Sequence, residues 1–219
     1  MVNFNSLSSS GYQESKSAQE ATVSESDVVA NEESFWRLPD GRVLVVIRIQ
    51  QKEYNQFKKI LDAWSTILCD LCKNNLAIDL EVKMEECDRI ITVMSSQTAR
   101  KEQNIKMFIC FNERGEALTV ARCAIEMDRY LHLDALVSSP MSIANRRHDP
   151  CLTKGGTVMM WAIEEFAVKQ GLLGIKLKAI PSSVSFYQRL NFHVTDTDPN
   201  RWLIPCEKNL SSEIQEIAS

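Results

Sequence analysis

The sequence lacks the features that define several common classes of protein. It contains no apolar run of about 18 residues, which a membrane-spanning helix requires. Its N-terminus has neither the basic nor the apolar segment of a signal peptide. The phosphate-binding pattern GxxxxGK(S/T) is absent, and no stripe of basic residues indicates a nucleic-acid partner. We therefore expect a cytoplasmic protein that has no nucleic-acid partner and does not associate with a membrane.

Paired cysteines of the kind found in secreted or zinc-binding scaffolds are also missing. The chain has seven cysteines, an odd number, and the CxxC of Cys69 and Cys72 has no second CxxC or His pair to complete a zinc site. Free thiols in a reducing compartment are expected instead. We predict no metal site.

Charge is distributed unevenly along the 219 residues. Residues 1–34 contain six acidic residues and one lysine, whereas the rest of the chain is close to neutral. The first 34 residues are rich in Ser, Glu, Gln and Asn, and their apolar residues have no period, which is typical of disorder. We predict a disordered tail at 1–34, one domain at 35–206 and a polar tail at 207–219.

The first half of the domain predicts a strand and a long helix. Val43–Ile49 is a buried apolar run, and the segment 51–73 carries apolar residues at spacings of three and four. Residues 78–84 alternate between apolar and charged, which predicts a strand. Residues 85–103 could be either helix or strand.

The second half is more regular and predicts strands, a central helix and a short helix. A Gly-Gly pair precedes the central helix, Gly171 is expected to end it, and Ser182 or Ser183 is expected to cap the short one. A long loop is predicted from 138 to 153. The expected strands are 106–111, 117–125, 130–137, 175–180, 192–195 and 202–205, and the expected helices are 156–170 and 182–190.

The segment from Ser182 to Phe192 reads SSVSFYQRLNF. It resembles the C-terminal signature of the GNAT acetyltransferase superfamily, roughly A-x-x-F-Y-x-(K/R)-x-G-F. Asn191 replaces the usual Gly, since both residues tolerate a left-handed backbone. The matching positions are Ser183, Phe186, Tyr187, Arg189 and Phe192.

This resemblance implies an α/β fold: a mixed, mostly antiparallel central sheet with flanking helices and a central pair of parallel strands, 130–137 and 175–180, that splay apart. It also implies transfer of an acetyl group from acetyl-CoA, the co-substrate, to an amine of a small molecule or a protein. The oligomeric state is left open. The residues expected to hold acetyl-CoA are Leu136 and Val137 on the first parallel strand, Lys154, Gly155, Gly156 and Thr157 at the start of the central helix, and Ser183 and Phe186 in the signature.

The resemblance makes Tyr187 the candidate acid that protonates the departing thiolate. Candidate bases are His132, Asp134 and Glu126, because all three lie on or just before the same strand. The loop before the central helix departs from the family's (Q/R)-x-x-G-x-(G/A) in either possible register. Arg146 and Arg147 could contact a phosphate in its place. The alternative hypothesis is a catalytically weak or inactive GNAT-like module that binds CoA or another protein.

Overall fold

The structure, a computed structural model, describes residues 32–49, 54–73, 85, 87–94, 104–145, 149–196, 198 and 202–210. The predicted strand at 78–84, most of the predicted N-terminal tail, and Arg146 and Arg147 lie outside these residues. No helix in the described ranges has the length and apolarity needed to cross a membrane.

Within the described ranges, eight strands form one sheet in the order β1-β2-β3-β4-β5-β6-β8-β7. Every neighbouring pair is antiparallel except β5 and β6, which run parallel. The predicted mixed, mostly antiparallel sheet is confirmed. The strands are β1 (Glu32–Arg37), β2 (Val43–Ile49), β3 (Ile105–Phe111), β4 (Ala117–Ile125), β5 (Tyr130–Ser138), β6 (Gly174–Ala179), β7 (His193–Val194) and β8 (Ile204–Asn209).

Helices cover both faces of the sheet. Alternate residues of β3 enter different hydrophobic clusters, with Met107 on one side and Phe108 on the other, as the period of a strand requires. We call the face with α1 and α2 the front and the face with α4 the back. The helices are α1 (Tyr54–Lys73), α2 (residues 87–94), α3 (Pro140–Asn145), α4 (Gly155–Lys169) and α5 (Val184–Gln188).

Helix α1 packs on the front face as its apolar spacing predicts. Tyr54, Phe57, Leu61, Trp64 and Leu68 are all buried there. Residues 87–94 are helical, so the segment for which helix and strand could not be distinguished contributes a second front-face helix. Its buried residues, Ile91 and Met94, join the same cluster as α1.

The sheet extends beyond the predicted domain range of 35–206 at both ends. Strand β1 begins at Glu32, three residues earlier than expected, because residues 32–34 pair with Arg48, Ile47 and Val46 of β2. Strand β8 continues to Asn209, and the following Leu210 is fully buried. The polar residues after 206 are therefore held in the sheet by pairing with β6, which a composition argument does not detect.

Three local predictions about helix ends and loops also have clear outcomes. Gly171 and Asn191 adopt positive φ angles of 64°, as expected for helix-terminating residues. The predicted loop 138–153 instead contains α3 and a short 3₁₀ helix, Pro150–Leu152. Among the described residues, the Ser183 side chain makes no capping hydrogen bond to α5. Ser183 is instead the last residue of a 3₁₀ turn, Pro181–Ser183, that precedes this helix.

The two glycines at the start of α4 differ in how closely the sheet approaches them. A Cβ on Gly155 would lie 2.6 Å from Oγ1 of Thr119 and 2.7 Å from Cβ of Leu118. A Cβ on Gly156 would lie 3.6 Å from Cζ of Phe186, an ordinary contact. Gly155 is therefore required for the packing of α4 on β4.

We expect Gly155→Ala to lower the free energy of unfolding by about 1–3 kcal/mol, because overpacking displaces the helix from the sheet. Gly156→Ala is the matched control, and it should be neutral or slightly stabilising since Ala favours helix. Urea unfolding of both variants measures the difference. Equal stability of the two variants would contradict the packing role of Gly155.

Candidate active site

The parallel strands β5 and β6 separate halfway along their length. In the described residues, their pairing is limited to Tyr130–Leu133 of β5 with Gly174–Leu177 of β6. Beyond that point β5 continues along β4 as far as Ser138, and β6 continues along β8 as far as Ala179. The second half of each strand therefore faces a gap on the side where the other strand would be.

A bulge in β5 lies where the separation begins. Arg122 of β4 pairs with Ala135 and the next residue, Cys123, pairs with Leu133, so Asp134 is the extra residue. Leu133 packs in the back cluster, whereas Ala135 packs against the front cluster. The bulge thus reverses the inside-outside alternation of β5 at the start of the gap.

A cavity of about 600 Å³ occupies the gap. It reaches both faces of the sheet, since Lys176 and Lys178 project from the front of β6 and Tyr187 belongs to the back cluster. Its walls come from β5, β6, β8, α2 and α5. The lining includes Arg89, Glu126, His132, Asp134, Leu136, Lys178, Ser183, Tyr187, Trp202 and Glu207.

Tyr187 is packed edge-on between Phe186 and Phe192, with ring centroids 5.0 and 5.8 Å away. Burial raises the pKa of its phenol well above the ordinary value, and the nearby thiols of Cys206 and Cys123 act in the same direction. The hydroxyl group therefore keeps its proton throughout the neutral pH range. The signature helix holds this proton donor at the wall of the cavity.

The loop before α4 has an unusual backbone at Lys154. This residue has φ of 72°, in the left-handed region that favours glycine, and α4 begins at the next residue. The N–H groups of the first turn of an α-helix have no partner within the helix. Lys154 to Thr157 lie outside the cavity lining, but Phe186 of the signature helix lies beside the first turn, where a Cβ added to Gly156 would be 3.6 Å from its Cζ.

His132 and Glu126 lie together at the front end of the cavity. Nε2 of His132 is 3.6 Å from the Glu126 carboxylate and 3.2 Å from that of Asp128. Asp128 also accepts a hydrogen bond of 2.8 Å from Nζ of Lys176. The three potential ligands lie within 4.8 Å of one another, as a metal site would require, but the Lys176 ammonium occupies one of them. The cluster is therefore arranged as an ion-pair network.

Asp134 has a partner that the sequence analysis missed. The buried guanidinium of Arg122 donates a hydrogen bond from Nη1 to the Asp134 carboxylate. Arg122 is the only charged residue in the strand sequence ALTVARCAI, a signal that marks a buried ion pair. Asp134 therefore lines the cavity as an ion-paired carboxylate, whereas His132 and Glu126 are less constrained.

The remaining binding candidates are divided between the cavity and its edge. Leu136 lines the cavity and is half-buried, whereas Val137 is buried in the front cluster. Ser183 lines the cavity next to Tyr187. Sequence reasoning did not identify Arg89, Lys176 and Trp202, because they come from separate elements that only the fold brings together.

No family model and no curated protein matches the chain. Solved structures that are similar to it include the PaiA N-acetyltransferase from Thermoplasma acidophilum in complex with coenzyme A, at 16% identity and a TM-score of 0.48, with 76% of this chain and 98% of that chain covered. The spermidine/spermine N-acetyltransferase from Vibrio cholerae is 9% identical, with a TM-score of 0.45 and coverage of 80% and 99%. The ribosomal-protein-S18-alanine N-acetyltransferase from Escherichia coli is 14% identical, with a TM-score of 0.40 and coverage of 54% and 76%.

These likenesses concern the fold. The strand order, the parallel pair β5–β6 and its separation define a mixed α/β protein with a cavity through the centre of its sheet. This arrangement of strands, with its parallel central pair, is the one that the resemblance of the signature implies.

The ion pair between Asp128 and Lys176 makes a testable contribution to stability. The hydrogen bond from Lys176 lowers the pKa of Asp128 to about 2. A carboxyl group whose pKa is lower in the folded state stabilises above its unfolded pKa of about 3.9, and this contribution is lost as the pH falls toward the folded value. The difference in unfolding free energy between the wild type and Lys176→Met should therefore be constant from pH 5 to 7 and shrink toward pH 3.

Urea unfolding across this range measures the effect. Lys58→Met is the matched control, because Lys58 pairs with Asp62 across one turn of α1 and is exposed. Such surface pairs contribute about 0.5 kcal/mol or less. A difference for Lys176→Met that does not change with pH would contradict the contribution of Asp128.

Proposed function

We propose that the protein is an N-acyltransferase that transfers an acetyl group from acetyl-CoA to an amine. The observation that supports this most is the cavity at the end of the β5–β6 pairing, which is lined by residues from both faces of the sheet. Such a cavity gives a donor and an acceptor room to meet at one point. Holding two reactants in this way removes much of the entropic barrier to their reaction.

The cavity fits the extended arm of a coenzyme. Residues 135–138 of β5 pair with β4 on one edge only, so backbone groups on the other edge face the gap. Leu136 and Val137 would hold the pantetheine arm with these groups, and Ser183 and Phe186 would flank it. The pyrophosphate would bind at the first turn of α4, from Lys154 to Thr157, where N–H groups and the helix dipole favour an anion.

Acetyl-CoA supplies an acyl group that is activated as a thioester. The attacking amine loses a proton as its nitrogen bonds to the acyl carbon, and the C–S bond breaks. Tyr187, which keeps its proton at neutral pH, donates that proton to the departing sulfur, although its raised pKa makes it a weaker acid than a free phenol. His132, with Glu126 beside it, accepts the proton of the amine directly or through water.

Tyr187→Phe should lower kcat about 100-fold or more while the Kd for acetyl-CoA changes little, because the ring packing is kept and only the proton donor is lost. Thiol release measures kcat, and calorimetry measures Kd. Tyr130→Phe is the matched control, since its hydroxyl bonds to Asn209 and the residue lies outside the cavity lining. An unchanged kcat in Tyr187→Phe removes this residue from the mechanism.

Two of the candidate bases, His132 and Asp134, are distinguished by how their substitution changes the stability of the protein. His132→Gln should lower kcat about 100-fold with little change in unfolding free energy. Asp134→Asn should instead cost about 3 kcal/mol of stability, because it leaves the buried Arg122 without its counter-ion. Urea unfolding and thiol release on both variants test this assignment. A large loss of kcat in a stable Asp134→Asn variant would make Asp134 the base.

The second candidate function is a GNAT-like module that binds CoA without catalysis. The departure of the phosphate loop from the family pattern at Lys154 favours it. Calorimetry with acetyl-CoA and a thiol-release assay with a panel of amines decide between the two candidates. Binding without turnover of any amine supports the module, and no binding at millimolar acetyl-CoA excludes both.

A further inference from the structure

Some of the charged residues around the cavity are paired with a side chain of opposite charge. Lys176 is bonded to Asp128 at 2.8 Å, and Glu207 lies opposite Lys176 in the register of β6 and β8. Asp134 is held by Arg122. Asp128 and Asp134 are therefore each ion-paired with a basic side chain, so neither is available to bind a cationic group of an acceptor.

Two cations at the front of the cavity are different. Arg89 of α2 and Lys178 of β6 both line it, and neither has a carboxylate partner in the part of the chain that the structure describes. In the register of β6 and β8, Lys178 lies opposite Pro205, which offers no charge, whereas Lys176 lies opposite Glu207. The front of the cavity therefore carries two positive charges without counter-ions.

Arg89 is also oriented by a ring. Its guanidinium carbon lies 4.7 Å from the centroid of Trp202, which precedes β8 and lines the same cavity. Stacking on an aromatic face holds the guanidinium plane and leaves its N–H edge available. That edge matches the two oxygens of a carboxylate. The contact thus presents a carboxylate-binding group at the wall of the cavity.

The same cavity carries a proton acceptor. Glu126 and His132 line it with 3.6 Å between their polar atoms. The Glu126 carboxylate has no lysine or arginine partner in the described ranges. An amine would be held and deprotonated there. The cavity therefore offers one site for an amine and a separate one for an anion.

We propose that the acceptor is a small amine that also carries a carboxylate, of the free amino acid type, and that Arg89 and Lys178 bind this carboxylate. This inference rests on the proposed acyltransferase function. It distinguishes amino acids from their amides, from the corresponding amines without a carboxylate, and from polyamines, all of which leave Arg89 without a counter-ion.

The test compares matched acceptors. Thiol release is measured with the common amino acids, then with the amide and the decarboxylated amine of each active one, and with spermidine. We expect kcat/KM to be at least tenfold higher for the amino acid than for its amide or amine. The reason is that only the amino acid has a carboxylate that can form a charge-assisted hydrogen bond with Arg89. Higher activity with the amide, the simple amine or spermidine overturns the proposal.

Arg89→Gln should reduce the ratio of amino acid to amide by about tenfold or more. Arg37→Gln makes the same change of charge on β1, an edge strand that is separated from the cavity by several strands, and it should leave the ratio unchanged. Calorimetry with acetyl-CoA accompanies both variants. If Arg89→Gln weakens acetyl-CoA binding and leaves the ratio intact, Arg89 binds a phosphate of the coenzyme and the proposal fails.

Direct binding keeps the test independent of turnover. The amino acids and their amides are titrated into the wild type and Arg89→Gln, with and without saturating CoA. Amino acid binding that is lost in Arg89→Gln supports the carboxylate site even where no amine is acetylated. An absence of acetyl-CoA binding refutes the proposed function, whereas equal binding of amino acid and amide refutes this inference alone.

Discussion

The separation of β5 from β6 is the constraint on which the rest of the site depends. If β5 and β6 were paired along their full length, backbone hydrogen bonds would close the gap between them, and no cavity could form there. The bulge at Asp134 ends the pairing, and the ion pair with Arg122 fixes the bulged residue from the neighbouring strand. One charged pair thus determines where the sheet opens, because residues after the bulge follow β4 alone.

This arrangement has a structural cost that the surroundings offset. Arg122 is buried, and its Nε has no hydrogen-bond partner among the residues that the structure describes. An isolated charge in such a position would be strongly destabilising, so the Asp134 carboxylate is needed as its counter-ion. The pair is surrounded by two large hydrophobic clusters, one on each face, which hold β4 and β5 together on either side of it. The opening is therefore flanked by hydrophobic core on both faces of the sheet.

The sequence predicts the parts of the fold that depend on local patterns. The apolar stripe of α1 and the left-handed stop at Asn191 follow from residue spacing and backbone preference. The membership of residues 207–209 in β8 does not, because pairing between strands β6 and β8 overrides their polarity. The bulge can be recognised in the sequence only once the structure is known. Leu133 and Leu136 face the same side although they are three residues apart, whereas residues on one face of a regular strand are two apart.

The site is harder to predict than the fold, because its residues act through neighbours distant in sequence. His132 and Asp134 are two residues apart, and alternation alone gives them equal standing as bases. The fold separates them, since Asp134 is bound to Arg122 of β4 whereas His132 faces Glu126. Arg89 gains its orientation from Trp202, more than a hundred residues away. The chemistry of each side chain is therefore set by tertiary partners, which a single sequence does not reveal.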